Sequence, residues 1–294
     1  MKTHIAASLL LALAATGHAR EFSVMTYNLR RFTLDDRDGD GKKNDPKPDN
    51  ECRALARIIA KASPDILAVQ EIGGKTPLNA FQAWLKTEGL EYPHVEMLQR
   101  GDRDSNLAVL SRFPIVESTH HTNEWYSIGK ARLAVARGFH EAVIQVDGNY
   151  RFHLVNAHLK SKIYSPLGQT EMRRNEARLL NKVVRRILEK NPGCKLLVVG
   201  DMNDNPNSAA IREVAGKSKK NLFDLRPAEP GGDAWTHHHS APDIHSRLDY
   251  IFANAKMLGD SVPEKSFVVR APATYIASDH RPVLAVFSTD HSTE

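Results

Sequence analysis

Nine apolar runs of strand length recur along this chain: FSVMTYNL, DILAVQEI, NLAVLSRFPI, GFHEAVIQV, RFHLVNAHL, KLLVVGDM, DYIFAN, SFVVR and PVLAVFS. Runs this short and this rich in β-branched and aromatic residues form strands. They extend from residue 22 to residue 288 with no Pro/Gly/Ser linker between them, so one domain is expected. Helical spacing appears at Leu55, Ile58, Ile59 and Ala62, predicting a helix from about Asn50 to Lys61. It recurs at Leu78, Phe81 and Leu85 behind a Thr76-Pro77 start, and at Ala177, Leu180, Val184 and Ile187, closing at Pro192-Gly193. Asp147-Gly148 between two strand runs is a hairpin signal, so part of the sheet must be antiparallel. This mixture indicates layered α/β sheets with helices outside.

The ends of the runs carry chemistry. Asn28 ends VMTYN, Glu71 ends ILAVQE, His158 ends LVNAH, and Asp201 with Asn203 ends LLVVGDMN. Three other runs reverse the order: Arg137 precedes GFHEAVIQV, Asp249 precedes YIFAN, and Asp279-His280 precedes RPVLAVF. One Asp or Asn after a strand is ordinarily a turn former, and one His a satisfied core residue. If the second group of strands runs antiparallel to the first, however, all these residues reach one rim, on rigid supports. The set combines oxygen ligands for a hard cation, two imidazoles and a guanidinium, which is the complement phosphoester chemistry needs.

MTYNLR, AVQEI, ARGFHEAV, VNAHLKSK, VVGDMND, RLDYIF and ASDHRPV resemble, in order and spacing, the motifs of the endonuclease/exonuclease/phosphatase superfamily, whose members resemble deoxyribonuclease I. The pairing of GDxN with SDH is the specific part. DRDGDGKKNDPKP and AWTHHHSAPDIHSRLDYIF further resemble segments of exported bacterial members. The resemblance covers residues 20–294 and implies a four-layer α/β sandwich, two mixed sheets face to face with helices on the outer faces. It implies that Glu71 is the principal ligand of Mg2+, for which Mn2+ could substitute, with Asn28 and Asp279 completing the shell. It makes His280 the general base or proton shuttle, oriented by Asp249. Asp201 and Asn203 would align the attacking water, Asn203 would hold a phosphoryl oxygen, His158 would hold a phosphoryl oxygen or assist the leaving group, and Arg137 would stabilise transition-state charge. A two-metal clamp is the alternative to one ion, with Asp201, Asn203 and Asp279 as the second set.

Substrate class follows less directly. The formal net charge of +5 suits an anionic partner. Basic pairs at Arg30-Arg31, Lys160 and Lys162, Arg173-Arg174 and Lys219-Lys220 suit a polynucleotide backbone. A metal-dependent, nuclease-like phosphodiesterase acting on DNA or RNA is therefore expected. The alternatives are a sphingomyelinase-like lipid-headgroup hydrolase, for which Trp125-Tyr126 is the one candidate interfacial hairpin, an inositol-phosphate or other small phosphatase, and, more distantly, a secreted binding module without catalysis.

Residues 1–19 place Lys2 ahead of the apolar run Ile5 to Ala15 and end in small residues, the layout of a signal peptide, so export to the periplasm or medium is expected. A monomer without stable membrane insertion is expected with it. The two cysteines, Cys52 and Cys194, fall at opposite ends of a predicted layer and should be unpaired. Asp36, Asp38, Asp40 and Gly41 reproduce the opening of a calcium loop, but Lys47 occupies the position of the closing Glu. A solvated acidic loop is the favoured reading, and a weak Ca2+ site at the three aspartates the alternative. His237, His238 and His239 are expected to wall the substrate site and not to ligate zinc.

Overall fold

The computed structural model describes residues 20–100, 105–216 and 222–290. The signal-peptide segment and the Lys219-Lys220 pair lie outside the described residues. In chain order the first half comprises β1 (Glu21–Phe32), α1 (Asp49–Ala62), β2 (Ile66–Ile72), α2 (Lys75–Thr87), β3 (His94–Leu98), β4 (Asn106–Ser111), β5 (Ile115–His121), β6 (Trp125–Ile128), β7 (Ala131–Ala134) and β8 (Phe139–Gln145). The second half comprises β9 (Arg151–His158), α3 (Gln169–Lys190), β10 (Lys195–Asp201), α4 (Ala209–Ala215), β11 (Phe223–Asp224), β12 (His237–His239), β13 (Ile244–Ser246), β14 (Asp249–Ala253), α5 (Ala255–Leu258), β15 (Phe267–Val268), α6 (Thr274–Ala277) and β16 (Val283–Ser288).

Strand alternation divides the apolar runs between three cores. In β1, Phe22 and Val24 face one way while Met25, Tyr27 and Leu29 face the other. The first pair joins Ile66 and Ala68 of β2, Phe152 and Leu154 of β9, Leu197 and Val199 of β10 and Ile251 of β14 in a core between two sheets. The second set packs under α1 and α2 with Leu55, Ile59 and Phe81. The opposite faces of β9, β10 and β14 (Val155, Val198, Phe252) meet Leu180 and Val184 of α3. Strands buried on both faces must be apolar at nearly every position, which is why these runs read as continuous.

Two six-stranded mixed sheets result, ordered β15-β16-β1-β2-β4-β3 and β11-β14-β10-β9-β8-β5, and with the outer helices they form the expected α/β sandwich. β1 pairs parallel to β2, and β9 parallel to β10; β16, β14 and β8 run antiparallel to their neighbours. The polar ends of both groups therefore share one rim.

Local departures have physical causes. NLAVLSRFPI reads as one strand but is two, because the turn at Arg112–Pro114 sends β4 and β5 into different sheets. The Asp147-Gly148 hairpin joins β8 to β9 through a longer connection, in which Asp147 Oδ1 accepts the N–H groups of Asn149 and Tyr150, both at 2.9 Å. Both cysteines are free; Cys52 lies in the α1 layer and Cys194 against the α3 layer, so their separation is across the sandwich.

Candidate active site

Two adjacent strands of the first sheet break their ladder at the same level. β1 and β2 stay in register to Asn28↔Gln70 and resume at Phe32↔Ile72, and β2 slips against β4 between Gln70 and Ile72. The slips are β-bulges, which re-aim side chains where a ladder would hold them flat. Arg30, Arg31 and Glu71 take positive φ of 47°, 53° and 59°. The bulge folds back on itself: Glu71 Oε2 accepts the Arg31 N–H at 2.9 Å and Asn28 Oδ1 accepts that of Arg30 at 2.9 Å.

The second sheet delivers its residues without any slip. β9 and β10 pair continuously to Asp201↔His158, and β10 and β14 to Asp201↔Asp249. Gly200 is obligatory beside them: its φ is +134°, and a Cβ there would stand 1.9 Å from the Ala157 carbonyl oxygen. Asp201 then turns the chain, its Oδ1 accepting the Asn203 N–H at 2.8 Å, with Asn203 at φ 54°.

Convergence across the two sheets is centred on Asp201 Oδ2. It accepts from Asn28 Nδ2 at 3.1 Å and Asn203 Nδ2 at 3.2 Å, and lies 3.3 Å from His158 Nε2 and 3.8 Å from His280 Nε2. Asn28 Nδ2 also donates to Glu71 Oε1 at 3.2 Å, which is 3.9 Å from His158 Nε2. His280 Nδ1 is 2.8 Å from Asp249 Oδ2. Asp279 sits farther out, its side chain about a third exposed and its Oδ2 3.8 Å from Arg30 Nε and 4.0 Å from His237 Nε2. Arg137 spends Nε on Ser105 Oγ and Nη1 on the Leu159 carbonyl, both at 3.1 Å, and Nη2 has no partner among the described residues.

The electrostatics follow from burial and from crowded carboxylates. Burial pushes Asp201 up to about 7, with Asp249 adding to the rise against the pull of His280. Burial works against a charged His280, but Asp249 and Asp201 outweigh it and push the ring up to about 10. His158 is held well below its ordinary value, first by burial, then by Arg137 and His280. It is therefore a neutral ring with Nε2 toward the carboxylates and a buried Nδ1 without a partner among the described residues.

No Lys or Arg among the described residues forms an ion pair with Glu71, Asp201 or Asp249. Ligand atoms of Asp201, Asp249 and His280 lie within 4.8 Å of one another, and Asp249 Oδ1 is buried without a partner among the described residues. Buried, like-charged oxygens that leave a carboxyl near neutrality fit a hard divalent cation.

Several supporting residues escaped the sequence reading. Ser278 Oγ donates to the Asn28 carbonyl at 2.9 Å and accepts the His280 N–H at 3.1 Å, tying β1 to the His280 turn. Thr236 Oγ1 accepts the N–H groups of Leu248 and Asp249. Gln70 Nε2 donates to Asn156 Oδ1 at 2.8 Å, bridging the two sheets beneath the site. Gln70 and Asn156, polar positions inside otherwise apolar runs, were the available signal. Glu176 of α3 is fully buried and accepts from the N–H groups of Ala136 and Lys160, fixing the segments that carry Arg137 and follow His158; nothing in a charged helix sequence marks it.

Other candidates fall outside the centre. Arg173 is buried against Asp204 at 2.9 Å, and the partly exposed Arg174 pairs with Glu213, so both members of this pair make intramolecular ion pairs. Asp36, Asp38 and Asp40 do converge, but Asp36 takes the N–H groups of Gly39 and Gly41, and Asp38 that of Asp40. Lys47 is buried, with Nζ 2.8 Å from both Glu51 and the Arg30 carbonyl, so the loop is pinned to the bulge. His237 packs on His280, ring centroids 4.7 Å apart, as a wall residue should. Of Trp125-Tyr126, only Trp125 is exposed.

A family model described as Endonuclease/Exonuclease/phosphatase family matches residues 25–280. No curated protein matches the chain at a significant level. Among solved structures, the human Nocturnin catalytic domain with bound sulfate superposes with a TM-score of 0.66 at 18% identity, covering 91% of this chain and 94% of that one. Sphingomyelinase C from Streptomyces griseocarneus gives 0.60 at 19%, covering 91% and 99%. D. rerio TDP2 complexed with single strand DNA product gives 0.61 at 16%, covering 92% and 99%. At these identities the likeness is one of fold.

Proposed function

This chain belongs to the endonuclease/exonuclease/phosphatase family, and from that premise we propose that it is an exported, divalent-metal-dependent phosphodiesterase that cuts DNA or RNA. The observation that carries the reading is the meeting at Asp201 Oδ2 of Asn28, Asn203, His158 and His280, with Asp249 behind the last.

Asp249 and Asp201 hold the bare His280 ring protonated; with a cation bound against these carboxylates that hold weakens, and the neutral ring is then the proton acceptor. Asp249 engages Nδ1, so Nε2 is the ring atom directed at Asp201, and the proton of an attacking water passes to Nε2. Asp201 and Asn203 align that water, their own geometry fixed by the turn between them. His158, neutral and donating from Nε2, holds a phosphoryl oxygen, and Arg137 offers Nη2 to the charge that builds in the transition state. Mg2+, or Mn2+ in its place, would be held by Glu71 with Asn28 and Asp279 completing its shell, and would neutralise charge on the phosphoryl oxygens.

A polynucleotide is favoured by Arg30, exposed on the bulge that also presents Glu71, by Lys162 just beyond His158, and by the net charge of +5. A lipid headgroup is the second reading, supported by exposed Ile163 and Tyr164 after β9 and by Tyr275 and Ile276 before Asp279. Plasmid DNA, RNA, sphingomyelin, phosphatidylinositol phosphates and sugar phosphates should be incubated with the protein in Mg2+ and in chelator. Metal-dependent endonucleolytic cutting of nucleic acid, weakened by salt, is expected; intact nucleic acid beside a hydrolysed lipid or monoester would refute the substrate. Export rests on the pattern of residues 1–19, and intact-mass analysis should find exported protein beginning near Arg20. Retained Met1 on that protein would end the idea.

A further inference from the structure

The β12–β13 hairpin carries a second ligand set, separate from the carboxylate centre. His238 and His245 face each other as a cross-strand pair. Their rings stack with centroids 4.4 Å apart at 17°, so a shared ion requires one imidazole to turn about its Cβ–Cγ bond until both ring nitrogens aim at the same point. Asp243, in the turn between the strands, stands with Oδ1 2.9 Å from His238 Nε2. One ligand atom from each of the three lies within 4.8 Å of the other two. Two imidazoles and a carboxylate are the donors that borderline transition metals take, while Mg2+ and Ca2+ take oxygen.

Aromatic rings border this set on one side, and Asp243 and His245 are exposed on the other. His238 is half-buried, with Tyr275 edge-on at 5.1 Å, and Trp235 is edge-on to His245 at 4.5 Å. Asp243 is exposed, with φ 51°, a left-handed conformation that Asp tolerates and that turns it back over the strands. Alternation sends His237 and His239 to the other face, where His237 lies on His280.

We infer that His238, Asp243 and His245 form a surface site for a borderline transition-metal cation, Zn2+ foremost, with open positions to solvent. The inference does not rest on the phosphodiesterase reading. It does bear on that site, because the His238 N–H donates to the Asp279 carbonyl at 2.9 Å and the Arg281 N–H to that of Thr236 at 2.6 Å. A metal that pins the hairpin also stiffens the wall on which His280 and Asp279 rest.

The test uses the full chain in excess Mg2+, so that the oxygen-rich centre is occupied by the metal it prefers. Zn2+ is titrated by calorimetry, and amide exchange across residues 236–246 is followed with and without it. One Zn2+ per chain is expected, with slower exchange in the hairpin. Asp243→Asn and His245→Ala should each weaken Zn2+ by at least tenfold, since loss of even an outer partner of a ligand costs roughly 10–100-fold. His239→Ala, on the opposite face, should leave it unchanged. Both ligand variants are at exposed positions, and circular dichroism that matches the parent confirms that each is folded. No Zn2+ bound under excess Mg2+ would overturn the site, as would equal binding by the parent and both ligand variants, or loss with His239→Ala alone.

Discussion

The two sheets contribute to one site by opposite means. The half from β1 and β2 is bulged: three residues with positive φ, a slipped ladder on both sides of Glu71, and a carboxylate about a quarter exposed. The half from β9, β10 and β14 is regular, and His158, Asp201 and Asp249 are buried at matched register positions. Strained backbone at a site persists only when its surroundings hold it there. On the first side Arg30, Arg31 and Glu71 are strained around a carboxylate that reaches solvent; on the second, Gly200 and Asn203 flank Asp201 with positive φ, while His158 and Asp249 sit on unbroken ladders. The bulged side thus leaves its carboxylate open to solvent and to a ligand, while the second side keeps its carboxylates buried.

The largest expected effect separates the carboxylate on the bulge from the ring before β16 that Asp249 of the second sheet orients. His280→Ala should lower kcat by about 10²–10⁴ with the dependence on Mg2+ concentration unchanged, the usual contribution of acid–base catalysis. Glu71→Ala should move the Mg2+ dependence as well as the rate, and Asp249→Asn should fall between wild type and His280→Ala, since its ring is present but unoriented. Rate against added Mg2+ for the three variants decides it. A shifted Mg2+ dependence in His280→Ala alone would break the comparison.

Next in size is a stability effect that only the regular half can show. Gly200→Ala places a methyl group 1.9 Å from the Ala157 carbonyl, on a backbone at φ +134°. Overpacking and backbone strain together should cost roughly 2–5 kcal/mol. At Gly148, where a Cβ meets nothing within 4 Å, the same change should stay within about 0.5 kcal/mol. Urea unfolding of the two variants measures the difference, and equal midpoints would deny that β9 and β10 are closely apposed at the site.

A third effect concerns pH in the metal-free protein. His280 is raised from 6.5 to about 10, so its contribution to stability is complete below about pH 6.5 and is lost as pH rises through 10. Asp201 is raised from 3.8 to about 7, so the fold favours its protonated form and loses that contribution between those values. Both act in one direction: in chelator, the urea midpoint should fall between about pH 6 and pH 9. Excess Mg2+ should recover part of the loss, because it binds only the folded state. A midpoint that rises with pH in chelator would mean that the carboxylates are not loaded as described.

How far the sequence alone reveals this division depends on locality. That Asn28, Glu71, His158 and Asp201 end strands is readable, because apolar alternation and its interruption are local signals. The antiparallel return that brings Asp249 and His280 to the same rim follows from chain order once those strands are recognised. The bulge is not readable, since ILAVQEI looks like an unbroken strand; Glu71 leaves it only because β1 and β4 both slip against it. The same holds for Arg173, whose burial depends on Asp204 thirty-one residues away, and for β12 and β13, polar strands whose pairing is decided by the walls they pack on. Gly200 sits between, since VVGDMN announces a special position but not the carbonyl that requires it.

The smallest effect tests the backbone of each half and nothing else. At φ 59° a residue with a Cβ is strained and glycine is not, so Glu71→Gly should be more stable than Glu71→Ala by about 1 kcal/mol, although both lose the same carboxylate. At His158, in an unbroken strand, the order should reverse, because glycine gains freedom in the unfolded chain and gives nothing back in the fold; Ala should be favoured by about 0.5–1 kcal/mol. Each pair removes the same functional group, so the difference within a pair reports backbone conformation alone. Urea midpoints for the four variants suffice. The same order at both positions would show that Glu71 is not held in a left-handed bulge in solution, and the contrast between the bulged β1–β2 edge and the unbroken β9–β10 ladder would go with it.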